Sequence, residues 1–195
     1  MIKKNKELLK KDFIIFIYTM LITSSIIMCY PNSIFNLNLI YSNIFNNKRL
    51  TKIEKIKKYS HEYSKEYGIN VNLIRGVIKV ESNNGKYQLS NAGACGVMQI
   101  RPSTATYLTG KYVSCKELIN STKLNIKIGT IYLKRLIEEF HNVSYAIAAY
   151  NAGPTITAFW LYHLGYIPDS GVATNDVLGY VDKVEYLVYH PSRLN

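Results

Sequence analysis

Apolar residues recur at helical spacing through most of the chain after residue 50, and this pattern constrains the fold most strongly. The first helix is predicted to begin near Thr51 and to stop near Gly68. Its apolar positions are Ile53, Ile56, Tyr59, Tyr63 and Tyr67. Further helices are predicted over 71–81, 102–108, 125–140, 143–150, 155–163 and 177–188. No stretch shows the strong alternation of a strand, so the sequence predicts a small, mostly α domain.

A different kind of segment precedes this domain. Residues 13–30 form an apolar run interrupted only by hydroxyl-bearing side chains, which is about the shortest length that spans a bilayer as a helix. Residues 1–58 hold eleven Lys and Arg against three Asp and Glu. Because lysines precede the run and none follows soon, we expect an uncleaved anchor with the N-terminus inside and the rest outside.

The predicted organisation is therefore a basic N-terminus and anchor over 1–30, a spacer over 31–50 and a folded domain over 51–195. A cleaved signal is disfavoured because no small-x-small site is evident, and Cys29 follows Met28, a poor lipoprotein match. A buried helix of a soluble domain is a further alternative for the apolar run. The positive charge of the chain, +11, is concentrated around this run and suggests membrane topology rather than nucleic-acid binding.

Metal binding is not indicated by the histidines and cysteines. The four histidines are scattered, and the three cysteines form no CxxC pair. Cys95 and Cys115 could form a disulfide in an oxidising compartment or remain as two free thiols.

Glu81 is the most unusual residue of the second predicted helix. It shares the apolar stripe of Ile74, Val77 and Ile78. Burial there would disfavour the carboxylate, raise the pKa and keep the group protonated, as a general acid requires. The alternative is an ordinary solvent-facing Glu at a helix end.

Four short motifs occur in order along the domain. They are Val80-Glu81-Ser82, Gly93 to Ile100 (GACGVMQI), Ala148 to Gly153 (AAYNAG) and Asp176 to Val181 (DVLGYV). Together they resemble the catalytic domain of the soluble lytic transglycosylase (SLT) family, glycoside hydrolase family 23, over about residues 53–190. The resemblance implies a lysozyme-like single domain of the goose-lysozyme/SLT type, which takes peptidoglycan glycan strands in a cleft and needs no cofactor.

In this family one carboxylic acid does the chemistry, and the resemblance assigns that role to Glu81. The acid protonates the glycosidic oxygen between N-acetylmuramic acid and N-acetylglucosamine, and then acts as base while the muramyl 6-hydroxyl attacks its own anomeric carbon. The product is a 1,6-anhydro sugar. An ordinary glycosidase would need a second carboxylate, and the matching motifs hold only Asp176 besides Glu81.

The same resemblance carries substrate-binding roles to eight further positions. They are Ser82, Ser90, Met98, Gln99, Tyr150, Asn151, Asp176 and Tyr180. Met98 and Gln99 are expected to line the cleft, and Tyr150 and Tyr180 to orient Glu81 through their hydroxyl groups. Asp176 stands where the family prefers Glu, and Arg101 where it often has an apolar residue.

Three functions are compatible with these observations. The first is a lytic transglycosylase on the periplasmic side of the cytoplasmic membrane, anchored there through residues 13–30. The second is a lysozyme-like hydrolase. The third is a peptidoglycan-binding protein of a secretion or conjugation apparatus, with little activity of its own.

Overall fold

A computed structural model describes residues 14–19, 22, 50–168 and 176–194. The chain divides into two compact units, Met1–Arg49 and Leu50–Asn195. In the first unit, residues 14–19 are helical, and most of the predicted anchor over 13–30 lies outside the described residues. Within the described part of the chain, no helix is both long enough and apolar enough to span a membrane.

The described part of the second unit is mostly helical, which confirms the mostly α prediction. Its described α-helices are α1 Lys52–Tyr67, α2 Val71–Ser82, α3 Pro102–Thr109, α4 Cys115–Asn120, α5 Thr122–Phe140, α6 Val143–Ala152, α7 Pro154–Leu164 and α8 Val177–Tyr189. A short 3₁₀ helix, Pro191–Leu194, follows α8.

Two helices form the centre of the core. Helix α6 packs against α5, α7 and α8, and its residues Ala146 to Ala149 have no exposed surface. Helix α2 packs against α8 and α1, with Ile74, Val77 and Ile78 fully buried. Burial of each such large aliphatic side chain stabilises the fold by roughly 1.5–3 kcal/mol. Helix α2 therefore has a fixed position under the site that its last turn carries.

Local capping accounts for the helix starts, including one that the apolar pattern did not predict. Thr51 and Glu54 form a reciprocal capping box at α1, and Ser114 and Glu117 form another at α4. Helix α4 is too short for apolar periodicity to reveal, so its capping box was the available signal. Helix α5 begins three residues before the predicted Asn125, because Ser121 caps its N-terminus.

The long connection between α2 and α3 folds back on itself beside the end of α2. Cys95 forms isolated bridge pairs with Leu89 and with Ile100. A disulfide joins Cys95 to Cys115 at the start of α4. This connection is therefore held at its middle, and it forms one wall of the cleft described next.

Candidate active site

A cleft of about 480 Å³ lies at the end of α2. The connection from α2 to α3 provides one group of lining residues, and the end of α6 together with the start of α7 provides another. Five of the nine predicted site residues line this cleft. They are Glu81, Ser90, Gln99, Tyr150 and Asn151.

Glu81 is the only carboxylate among the described residues that line the cleft. Burial disfavours its charged form and raises its pKa from 4.5 to about 7, although a hydrogen bond from Tyr180 partly opposes this shift. The Tyr180 hydroxyl donates to Glu81 Oε1 at 2.7 Å. A carboxyl group with this pKa is half protonated near neutral pH and is therefore suited to give up a proton and take one back.

The two tyrosines expected to orient Glu81 have different partners. Tyr180, on α8, donates to the Glu81 carboxylate. Tyr150, near the end of α6, donates instead to the carbonyl oxygen of Met98 at 2.8 Å. Both rings are buried, and the neighbouring charge of Glu81 adds to burial in raising the pKa of both hydroxyl groups. Of this pair, Tyr180 alone donates to the acid.

Gln99, Ser90 and Asn151 present polar groups in the cleft lining. Gln99 has a positive φ of 49° and donates through Nε2 to the carbonyl oxygen of Gly96 at 2.8 Å. The Ser90 oxygen accepts a hydrogen bond from the amide of Ala94. Asn151 has a buried Oδ1 without a hydrogen-bond partner in the described part of the molecule. These side chains supply hydroxyl and amide groups of the kind that bind sugar hydroxyls and acetamides.

Ser82 and Met98 support the cleft without lining it. The Ser82 hydroxyl is buried, donates to the carbonyl oxygen of Val97 at 2.7 Å and accepts from the amide of Gly85. Met98 is fully buried beside Gly129. A Cβ added at Gly129 would lie 2.4 Å from the Met98 sulfur, so only glycine fits there without a shift of Met98. The structure therefore places Met98 behind the wall rather than on its surface, where the sequence predicted it.

Asp176 does not join the cleft residues. It is exposed and caps α8, with Oδ1 accepting from the amide of Gly179 at 2.7 Å. Its contribution in the structure is to the start of the helix that carries Tyr180, because an N-cap acceptor satisfies an otherwise unpaired helical N–H.

Asn125 is a supporting residue that the sequence analysis did not select. It is fully buried on α5 and bridges the cleft wall, accepting from the amide of Met98 at 2.7 Å and donating to the carbonyl oxygen of Cys95 at 2.8 Å. Gly96 lies so close that a Cβ there would come within 2.2 Å of the Asn125 amide nitrogen. The signal was an amide side chain within an otherwise apolar helical face.

Known proteins resemble the chain over this helical unit. The family model described as the Transglycosylase SLT domain matches residues 58–164. The soluble lytic murein transglycosylase of Salmonella typhimurium is 36% identical over 105 residues, which are 51% of this chain and 16% of that protein. The membrane-bound lytic murein transglycosylase C of Glaesserella parasuis is 33% identical over 109 residues, 47% of this chain and 29% of that protein.

A solved structure resembles the fold as well. The 70 kDa soluble lytic transglycosylase of Escherichia coli matches with a TM-score of 0.61 at 28% identity, covering 71% of this chain and 24% of that one. In each comparison less than a third of the relative is spanned. The family model nevertheless covers more than half of this chain. The predicted family resemblance is thus confirmed, and the chain belongs to the Transglycosylase SLT domain family.

Proposed function

We propose that the protein is a peptidoglycan lytic transglycosylase. It would cleave the β-1,4 bond between N-acetylmuramic acid and N-acetylglucosamine and leave 1,6-anhydromuramic ends. The observation that carries this proposal is the setting of Glu81, the only carboxylate among the described cleft residues, with a pKa raised to about 7. The family match and the names of the related proteins support the same reaction.

The proposed reaction uses Glu81 twice. The protonated carboxyl group gives its proton to the glycosidic oxygen as the bond from the muramyl C1 breaks. The resulting carboxylate then takes the proton of the muramyl 6-hydroxyl while that oxygen bonds to C1. No water enters, and Glu81 ends protonated as it began. Tyr180 stabilises the intermediate carboxylate because its hydroxyl donates to Oε1.

Replacement of Glu81 by Gln tests the proposal. The side chain stays nearly isosteric but has no transferable proton, so we expect glycan cleavage to fall by roughly 10²- to 10⁴-fold. The assay is digestion of purified peptidoglycan followed by mass analysis of the products. The wild type should release anhydro-muropeptides, each lighter by one water than the product of hydrolysis.

Glu138→Gln serves as the matched control, since Glu138 is an exposed carboxylate paired with Lys134 and does not line the cleft. Products with reducing muramic ends, labelled when the reaction runs in ¹⁸O water, would instead identify a hydrolase. Unchanged cleavage by Glu81→Gln would move the active site elsewhere. A peptidoglycan-binding component of a secretion or conjugation apparatus would keep its function in that variant.

We further propose that the enzyme acts outside the cytoplasm and is tethered to the membrane through residues 13–30. The flanking lysines support this orientation. The disulfide between Cys95 and Cys115 supports an oxidising compartment. A phosphatase that folds only after export, fused after Asn195, should be active in cells. Fluorescence from a reporter that matures only in the cytoplasm would contradict the proposed orientation.

A further inference from the structure

Arg101 is the only cationic side chain among the described residues that line the cleft. It immediately precedes α3, and it is an exposed residue. Across the described residues, Arg101 takes part in no salt bridge. No carboxylate in the described part of the chain therefore pairs with this charge, and Glu81 adds no negative charge to the cleft while it is protonated.

A series of neighbours links Arg101 to the catalytic acid. Burial raises the pKa of the Tyr132 hydroxyl, and the positive charge of Arg101 acts in the opposite direction. The ring centroids of Tyr132 and Tyr150 lie 5.2 Å apart. The charge of Glu81 in turn contributes to the raised pKa of the Tyr150 hydroxyl. All four side chains line the same cleft. A glycan bound at Glu81 would thus be close to Arg101 as well.

The sugar rings of such a glycan carry no charge and give a guanidinium group no ionic partner. The muramic acid substituent does carry carboxylates, either on the lactyl group of strands without peptide or on the attached stem peptide. Guanidinium and carboxylate groups match in shape and charge and form paired hydrogen bonds. We propose that Arg101 binds a carboxylate of the muramic acid substituent and so makes the cleft selective for anionic strands. This inference rests on the proposed function for its substrate.

Three synthetic tetrasaccharides of alternating N-acetylglucosamine and N-acetylmuramic acid distinguish the two carboxylate sources. One carries neutral lactyl methylamides, the second free lactyl carboxylates, and the third lactyl groups bearing L-alanyl-D-glutamate. Their dissociation constants are measured by calorimetry with the full chain carrying Glu81→Gln, so that turnover does not interfere. Arg101→Gln and Arg101→Lys are each added to that background.

We expect Arg101→Gln to weaken binding of a carboxylate-bearing tetrasaccharide by about three- to fivefold, the upper part of the range for an exposed ion pair. Binding of the neutral one should change by less than about twofold. Weakened binding of the second or of the third ligand identifies the lactyl or the peptide carboxylate as the partner. Arg101→Lys should recover part of the loss, because it restores the charge without the paired hydrogen bonds.

Arg135→Gln is the matched control. Arg135 is an exposed arginine near Tyr132 that contacts Tyr107 and does not line the cleft. The inference would be overturned if Arg101→Gln weakened binding of the neutral tetrasaccharide as much as binding of the carboxylate-bearing ones. It would also be overturned if Arg135→Gln weakened binding of the carboxylate-bearing ligands as much as Arg101→Gln does, or if Arg101→Gln weakened the binding of none of the ligands. Failure of the proposed function is a separate result, since it would appear as an absence of anhydro products from the wild type.

Discussion

The protonation of Glu81 depends on two opposing contacts. Burial at the end of α2 raises its pKa, and the hydrogen bond from Tyr180 lowers it, with burial the larger effect. A deeper carboxyl group without such a donor would hold its proton too firmly to give it up, and an exposed one would have lost it already at neutral pH. The pairing of Glu81 with Tyr180 therefore sets the pH range of the proposed reaction.

Tyr180→Phe tests this balance. The hydroxyl of Tyr180 favours the carboxylate, so its removal should raise the pKa of Glu81 above about 7. Because the reaction begins from the protonated acid, the basic limb of kcat/KM against pH should move upward by roughly one unit. Tyr186→Phe, a change at an exposed tyrosine of the same helix, should leave that limb in place. A basic limb that stays fixed or moves downward in Tyr180→Phe would contradict the assignment.

The apolar helical stripe drew attention to Glu81 but left an ordinary solvent-facing Glu as an alternative, and the four motifs assigned it the catalytic role. It could not separate motif residues that face the cleft from those that support it. Met98 belongs to the same motif as Gln99, yet the first is buried and the second lines the cleft. Asp176 illustrates a missed local signal. An Asp directly before a predicted helix is an ordinary N-cap, and Asp176 accepts from the amide of Gly179 in this way.

The cleft wall between α2 and α3 depends on contacts that are distant in sequence. Asn125 lies 27 residues from the Met98 amide and 30 from the Cys95 carbonyl that it holds. Met98 in turn accepts the hydrogen bond from Tyr150. Apolar periodicity predicts α5 well, but it carries no information about which loop its one amide side chain will meet. This is why the supporting residue was missed although its helix was predicted.

Asn125→Leu should damage both stability and activity. The substitution is similar in size but leaves the Met98 amide without its partner, which costs about 1–3 kcal/mol for a buried group. It also removes one hydrogen bond to the Cys95 carbonyl, which still accepts from the amide of Ile100. We therefore expect the free energy of unfolding in urea to fall by roughly 1–4 kcal/mol, and kcat/KM to fall under conditions where the variant remains folded. Asn120→Leu, an exposed position at the end of α4, is the control for the same exchange. Unfolding curves that coincide for Asn125→Leu and the wild type would show that Asn125 does not hold the wall.

Across the whole helical unit, the helices were easier to predict than their packing. Regular apolar faces fix where α1, α2, α5 and α8 begin and end to within a few residues. The approach of α2 to α8 depends on Gly76, where a Cβ would come within 3.3 Å of the Val184 carbonyl oxygen. The close packing of α2 and α8 brings Tyr180 to Glu81. The sequence around Gly76 does not indicate that α8 is the helix that packs against it.

The raised pKa of the partly buried Glu81 should also make the stability of the whole helical unit depend on pH. Glu81 titrates near 4.5 in an unfolded chain and near 7 in the folded one. Between these values the unfolded state releases a proton that the folded state keeps, so stability falls as the pH rises. The favourable contribution is complete below pH 4.5 and is lost as the pH passes through about 7. Each pH unit in this window corresponds to about 1.4 kcal/mol, so the total is on the order of 3 kcal/mol.

Glu81→Gln removes this titration and leaves the other ionisable groups unchanged, so the difference between the two unfolding free energies isolates it. We expect the variant to gain stability relative to the wild type as the pH rises from 4.5 to about 7, by on the order of 3 kcal/mol. Above that range the difference should stay constant. This difference is measured by urea unfolding of the wild type and the variant at intervals from about pH 4 to pH 8. Linear extrapolation to zero urea gives the free energy of unfolding of each protein at each pH. A difference that stays flat across the window, or that favours the wild type at higher pH, would mean that Glu81 is ionised at neutral pH in the folded protein and cannot serve as its acid.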